Sequence, residues 1–191
     1  MNIDKLVNLF FEVGTLRKIA RSHRQTLLTD DLSDNIASHS YRVTIIAHFL
    51  SQLENANTEK VITMALFHDI AESRSGDQNW VNKRYVKVFE DEILNDQLSW
   101  LNKDNNLLEI VKEYNERKTL EAKVAKDADL LDQILLLREY ENNGNQEAVD
   151  WLKGKGQLKL LTTKSAKKLA EKIYETSVHD WWKDIWTEKR R

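Results

Sequence analysis

Apolar residues recur along this chain every three to four positions almost without interruption, which is the period of a helix and not of a strand. Ile3, Leu6, Val7, Phe10 and Val13 form one stripe of a first helix. Residues 21–35 are polar and charge-rich, and Thr29, Asp30, Asp31, Ser33 and Asp34 suit turns and caps, so this stretch reads as a loop. A second helix is expected over residues 38–54, with His39, Val43, Ile46, Leu50 and Leu53 on one face. Thr58 is placed to cap a third helix over residues 59–72. Val61, Ile62, Met64, Ala65, Leu66, Phe67 and Ile70 make that helix apolar almost all round, hence central and buried.

Residues 73–79 contain Gly76 and read as a second loop. A fourth helix spans roughly 80–101, with Val81, Tyr85, Val88, Phe89 and Leu94 among its apolar positions. A short helix covers 107–114. A long one covers 119–141 and ends at Asn142-Asn143-Gly144, a good stop signal. Another short helix lies near Trp151, and a final helix is expected over 163–186. The most strand-like stretch, 156–163, is short. With no repeat and no linker in view, the pattern predicts an all-α, single-domain bundle.

Composition agrees with that reading. The 191 residues include no proline and five glycines, so little in the chain interrupts a helix. A hydrophobic fraction of 41% supplies a core and a charged fraction of 31% supplies a soluble surface. The formal net charge is −2, which gives no electrostatic case for binding a nucleic-acid backbone. Asp4 and Lys5 interrupt what would be the apolar core of a signal peptide, and no stretch approaches the length of a membrane span, so a cytoplasmic location is expected. With no cysteine, disulfides, thiolate metal sites and a cysteine nucleophile are excluded, and any metal must be held by His, Asp and Glu.

The candidate chemistry lies among the histidines at 23, 39, 48, 68 and 179. His39 sits on the apolar face of the second helix. His48, nine residues later, falls on the opposite face at about 100° per residue, so it is assigned a surface or structural role. His68-Asp69 closes the buried third helix, with Glu72 four residues on and on the same face. Acidic groups at the end of an apolar helix are costly to bury without partners, and a metal ion would be one. A solvated last turn beside a hydrogen-bonded core histidine accounts for the same pattern. On the long helix, Asp129 shares an inward face with Ala122, Ala125 and Leu136, whereas Asp127, about 200° around, reads as surface charge.

The ordered set His39, His68-Asp69 and Asp129 resembles the H…HD…D signature of HD-domain metal-dependent phosphohydrolases. The local context, 38–42, 65–72, Gly76-Asp77 and 121–129, is similar to the branch of small HD-domain 5′-deoxynucleotidases. The resemblance covers roughly residues 1–152 and leaves 153–191 as a helical extension packed on the same domain. It implies a helical bundle in which His39, His68, Asp69 and Asp129 hold one divalent ion, with Co²⁺, Mn²⁺, Mg²⁺ and Zn²⁺ all admissible. It also implies that Asp77 shares an acid–base role or orients the water, a nucleotide substrate, and a homodimer. Glu72 is placed to act as general base or acid near the metal. Arg21, whose guanidinium fork suits phosphate, and Lys126 are candidate phosphate ligands, with a solvated surface charge as the alternative for each. Three tryptophans, Trp181, Trp182 and Trp186, are expected to pack the last helix on the body or to meet a partner.

No histidine stands between Asp69 and Asp129, which disfavours the two-metal relatives of the family. The branch usually places Trp soon after an Arg in the loop before the first ligand, where this chain has Arg21-Ser22-His23-Arg24-Gln25. After Gly76-Asp77 the branch often has an aliphatic residue and a proline, where this chain has Gln78-Asn79-Trp80. The expected activity is hydrolysis of (deoxy)nucleoside 5′-monophosphates. A nucleoside triphosphatase, a nucleotide phosphodiesterase and a nucleotide sensor without turnover are the competing readings.

Overall fold

The computed structural model describes residues 2–101 and 106–185. Small polar residues set where the helices begin. Asn2 caps α1 (Ile3–Val13). Asn35 caps α3 (Ile36–Leu53), which follows the short α2 (His23–Leu27). Asn57, and not Thr58, caps α4 (Thr58–Phe67). After α5 (Glu72–Ser75), Asn79 caps α6 (Trp80–Tyr85) with a reciprocal bond from Asn82. α7 (Glu90–Leu98) and α8 (Leu107–Glu116) follow. Thr119 caps α9 (Leu120–Asn142), Asn145 caps α10 (Gln146–Leu152) and Thr163 caps α11 (Lys164–Glu175), ahead of α12 (Asp180–Lys183). Each such cap satisfies an orphan backbone N–H and stabilises its helix by about 1 kcal/mol. The fold is all-α, and no helix among the described residues is long and apolar enough to cross a membrane.

α9 is the axis of the bundle. Val124, Ala125, Ala128, Leu131, Ile134 and Leu137 are buried around it, and it packs against α3, α4, α8, α10 and α11. Leu50 of α3 and Met64 of α4 lie wholly inside the same cluster. Each such side chain contributes roughly 1.5–3 kcal/mol by leaving water. Leu161, Ala166 and Ala170 carry the C-terminal helices onto this core. A second, smaller cluster joins Leu9 of α1 to Ile70, Ala71, Leu94, Leu98 and Val111.

Several expected boundaries move. The helix expected over 80–101 is two helices: the chain is extended at Val86, and α7 starts afresh at Glu90 with three acidic residues in its first turn. The β-branched Val86 and Val88 weaken helix there, while Glu90, Asp91 and Glu92 favour a helix N-terminus. The helix expected to be buried all round is buried on one face only, through Val61, Met64 and Ala65, with Leu66 exposed, and it ends at Phe67, so His68 to Ala71 form turns and Glu72 opens α5. The loop over 21–35 contains α2. The final helix stops at Glu175, since Thr176 is extended, and Trp186 lies outside the described residues. Along α1 it is Leu9 that is buried, whereas Ile3, Val7 and Phe10 of the expected stripe are exposed.

Asp127 is the clearest correction. It is wholly buried, and its carboxylate accepts from the amides of Thr162 (2.9 Å) and Thr163 (2.7 Å) and from both their hydroxyls. A lone buried carboxylate would be costly, and these four donors remove that cost. Asp127 therefore ties the turn before α11 to the middle of α9.

Candidate metal centre and its cleft

Five segments converge beside the middle of α9. α3 brings His39 in its first turn. The turn after α4 brings His68 and Asp69, and the next turn brings Glu72 and Asp77. α9 brings Asp129. Arg21 arrives from a two-residue antiparallel contact, in which its amide donates to Asp34 O (3.0 Å) and the Ile36 amide donates to Ile19 O (3.1 Å). The sequence placed Arg21 at the start of a loop, yet it is only 9% exposed.

The two imidazoles are oriented by their Nδ1 atoms. His68 Nδ1 lies 2.8 Å from Ala65 O, a group that can only accept, so this nitrogen carries the proton and Nε2 presents a lone pair. His39 Nδ1 lies 2.6 Å from Asp132 Oδ2, which fixes its proton on that side too. The two Nε2 atoms are 3.3 Å apart. Asp129 Oδ1 is 3.3 Å from His39 Nε2, and Asp69 Oδ2 is 3.5 Å from His39 Nε2 and 3.1 Å from His68 Nε2. Ligand atoms of His39, His68 and Asp129 all fall within 4.8 Å of one another, as donors around a single ion would. Asp69 stands beside that trio on the cleft side. Two neutral nitrogens and two carboxylates suit a divalent ion of the first row or Mg²⁺, so the residues present fit a metal.

Charges around the cluster are strongly coupled. Burial and the Arg21 charge act to lower the His39 pKa, but Asp129 and Asp132 override them and raise it to about 9. Burial opposes ionisation of Asp69 and Asp129. His68, His39 and Arg21 nevertheless hold Asp69 far below the ordinary range, as Lys126 and His39 do for Asp129. Glu72 behaves oppositely: burial, then Asp69 and Asp77, push its pKa up to about 10. One of its oxygens, Oε2, is buried without a hydrogen-bond partner.

Arg21 lies between two carboxylates, with Nη1 3.5 Å from Asp69 Oδ2 and Nε 3.5 Å from Asp77 Oδ2. Asp77 Oδ2 also accepts from the Ser22 amide at 2.7 Å. Gly76 makes that approach possible: its φ of 70° and ψ of 164° turn the chain in a region open to glycine almost alone. Lys126 is paired with Asp129 across less than one turn. The cluster opens into a cleft of about 760 Å³ lined by Arg21, His68, Asp69, Glu72, Asp77 and Lys126, among others.

The structure thus brings together every singled-out site residue: Arg21, His39, His68, Asp69, Glu72, Asp77, Lys126 and Asp129. His48 lies apart, bonded to Gln52 of its own helix. Sequence reasoning missed Asp132, which orients His39 and also pairs with Arg42. The available signal was its position three residues after Asp129, on the same side of α9. Also missed were Tyr114, whose hydroxyl reaches Asp129 Oδ2 at 3.5 Å, and His23, packed edge-on against Trp151 and lining the cleft.

A family model described as HD domain matches residues 13–176. A Schizosaccharomyces pombe 5′-deoxynucleotidase, hdd1, is 33% identical over 158 residues, covering 77% of this chain and 79% of that one. The Bos taurus 5′-deoxynucleotidase HDDC2 is 29% identical over 142 residues, covering 70% of this chain and 67% of that protein. A structural-genomics crystal structure superposes with a TM-score of 0.77 at 27% identity, covering 94% of this chain and 99% of that one. A predicted metal-dependent phosphohydrolase from Magnetospirillum magnetotacticum shares the fold, with a TM-score of 0.68 at 22% identity and 91% of each chain covered.

Proposed function

This chain belongs to the HD-domain family of phosphohydrolases, and from that premise we propose that it hydrolyses (deoxy)nucleoside 5′-monophosphates to nucleoside and phosphate. The observation that carries the reading is the convergence of the His39 and His68 Nε2 atoms with the Asp69 and Asp129 carboxylates at the head of one cleft. In this proposal those four residues hold a single divalent ion, one of Co²⁺, Mn²⁺, Mg²⁺ and Zn²⁺. When bound, the ion polarises a phosphoryl oxygen and lowers the pKa of the attacking water. The nucleotide part of the proposal is supported by two relatives that bear the name 5′-deoxynucleotidase.

The remaining side chains have separable tasks. Arg21 is buried and locked between Asp69 and Asp77, so its guanidinium is pre-aimed at a phosphate oxygen without loss of rotamer freedom. Lys126, paired with Asp129, offers a second cation in the same cleft. Burial and the Asp69 and Asp77 carboxylates raise the Glu72 pKa, which suits it to donate a proton to the ester oxygen as the P–O bond breaks. Asp77 holds Arg21 and the turn at Ser22, and orients the water from the same side.

We place this activity in the cytoplasm and in a homodimer. An exposed apolar stripe on α3, formed by Tyr41, Ile45, Phe49 and Leu53, supports the second point. The test is orthophosphate release from a panel of ribo- and deoxyribonucleoside 5′-monophosphates with each of the four ions, beside Asp69→Ala. Metal-dependent release, lost in Asp69→Ala, is expected. Release of pyrophosphate, triphosphate or a linear dinucleotide from other substrates, with silence on the monophosphates, would replace this reading with another HD hydrolase.

A further inference from the structure

Beyond the cations that serve the centre, the same cleft carries a row that leads away from it. Lys126 precedes Asp129 by three residues on α9, and Lys123 precedes Lys126 by three more, so both keep to one face. At 1.5 Å per residue Lys123 stands about 9 Å along the axis from Asp129. Arg117, at the end of α8, follows in the same direction. All three line the cleft. Lys126 is paired with Asp129, but neither Lys123 nor Arg117 has an ion pair among the described residues.

Two features argue that this row is more than solvated surface. Arg117 occupies a left-handed φ of 56° as it closes α8, a position where glycine is the default residue. Like charges without an ion pair in one cleft repel, and a bound anion would relieve that repulsion. Glu90, one of the carboxylates lining the cleft, accepts from the Asn115 side-chain amide at 2.7 Å and forms an ion pair with neither Lys123 nor Arg117.

We infer that Lys123 and Arg117 bind a second phosphoryl group on the ligand whose first phosphate lies at the metal centre. The inference rests on the nucleotide-phosphatase reading only for where that first phosphate sits. The ligand class is a small phosphate ester with two or more phosphoryl groups, acting as substrate or as competitor of the monophosphate. A polyphosphate chain and a phosphate on the sugar 3′-oxygen share this chemistry.

The test uses inorganic tripolyphosphate as probe, with free metal ion held constant against chelation. Tripolyphosphate should inhibit monophosphate turnover competitively, at least tenfold more tightly than orthophosphate. In Lys123→Ala and Arg117→Ala the ratio of its inhibition constant to the monophosphate KM should rise about tenfold, the scale of one charge-assisted hydrogen bond. Equal binding of tripolyphosphate and orthophosphate, or an unchanged ratio in both variants, would overturn the inference. Should no monophosphate be turned over, the nucleotidase reading fails by itself. Thermal stabilisation by tripolyphosphate over orthophosphate, weakened in the two variants, then reads the second site, and its absence overturns it. Comparing a deoxynucleoside 3′,5′-bisphosphate with the triphosphate distinguishes the two sources.

Discussion

His39 and Asp132 are joined by a 2.6 Å contact between Nδ1 and Oδ2 that fixes which face of the imidazole looks into the cluster. Asp132 is itself held by Arg42, so the ring is oriented by a chain of charges running from α9 back to α3. Partners of this kind set ligand orientation and basicity, and their loss typically lowers metal affinity 10- to 100-fold. Asp132→Asn should therefore weaken metal binding by about that factor, read by calorimetric titration. Affinity equal to the parent's would contradict the role given to Asp132.

The same contact shapes the pH dependence of metal uptake. His39 carries a pKa raised to about 9, so in the metal-free protein it is protonated at neutral pH. A ligating Nε2 must lose its proton, and the ion must displace it. Apparent affinity should thus climb as pH rises toward 9, by at most tenfold per unit, and flatten above it. Titrations at pH 7 in two buffers of different ionisation enthalpy should show about one proton released per ion. A flat profile between pH 6 and 9 would refute this.

Burial and the neighbouring carboxylates of Asp69 and Asp77 raise the Glu72 pKa. Glu72→Gln keeps the shape and a donor but cannot transfer a proton. General acid–base groups contribute typically 10²–10⁴-fold, so phosphate release should fall by that order while metal affinity stays within a few-fold. A variant retaining full turnover would remove Glu72 from the chemistry.

Asp127 bears on stability. Its four protein donors at Thr162 and Thr163 would be left without an acceptor in Asp127→Ala, at a cost of roughly 3 kcal/mol in unfolding free energy. The loss should appear as a lower Tm and denaturant midpoint. Metal affinity of the folded fraction should stay within a few-fold, because Asp127 bonds to Thr162 and Thr163 and to none of the four metal ligands. An unchanged Tm would contradict its anchoring role.

Sequence made the two imidazoles and the carboxylates at 69 and 129 legible because order and spacing along the chain survive folding. The long α9 was equally legible, since Thr119 and Asn142-Asn143-Gly144 mark its ends and its interior has no breaker. Asp127 was misread because the axis of a bundle is buried all round, so the polar side of a central helix is not a solvent side. What satisfies it, the turn at 162–163, is remote in sequence and invisible to periodicity. Asp132 was hidden for the same reason: its partners His39 and Arg42 lie on another helix. The break at 86–89 was missed because Val86, Val88 and Phe89 fit an apolar helical period as well as an extended segment.

The central claim is that phosphate release depends on an ion held by His39, His68, Asp69 and Asp129. The most direct measurement is orthophosphate release from a deoxynucleoside 5′-monophosphate by protein stripped with chelator and then reloaded with one divalent ion. The account predicts no release from the stripped protein, recovery on adding about one equivalent, and no recovery in His68→Ala. Release that persists after stripping, or that His68→Ala recovers in full, would contradict it.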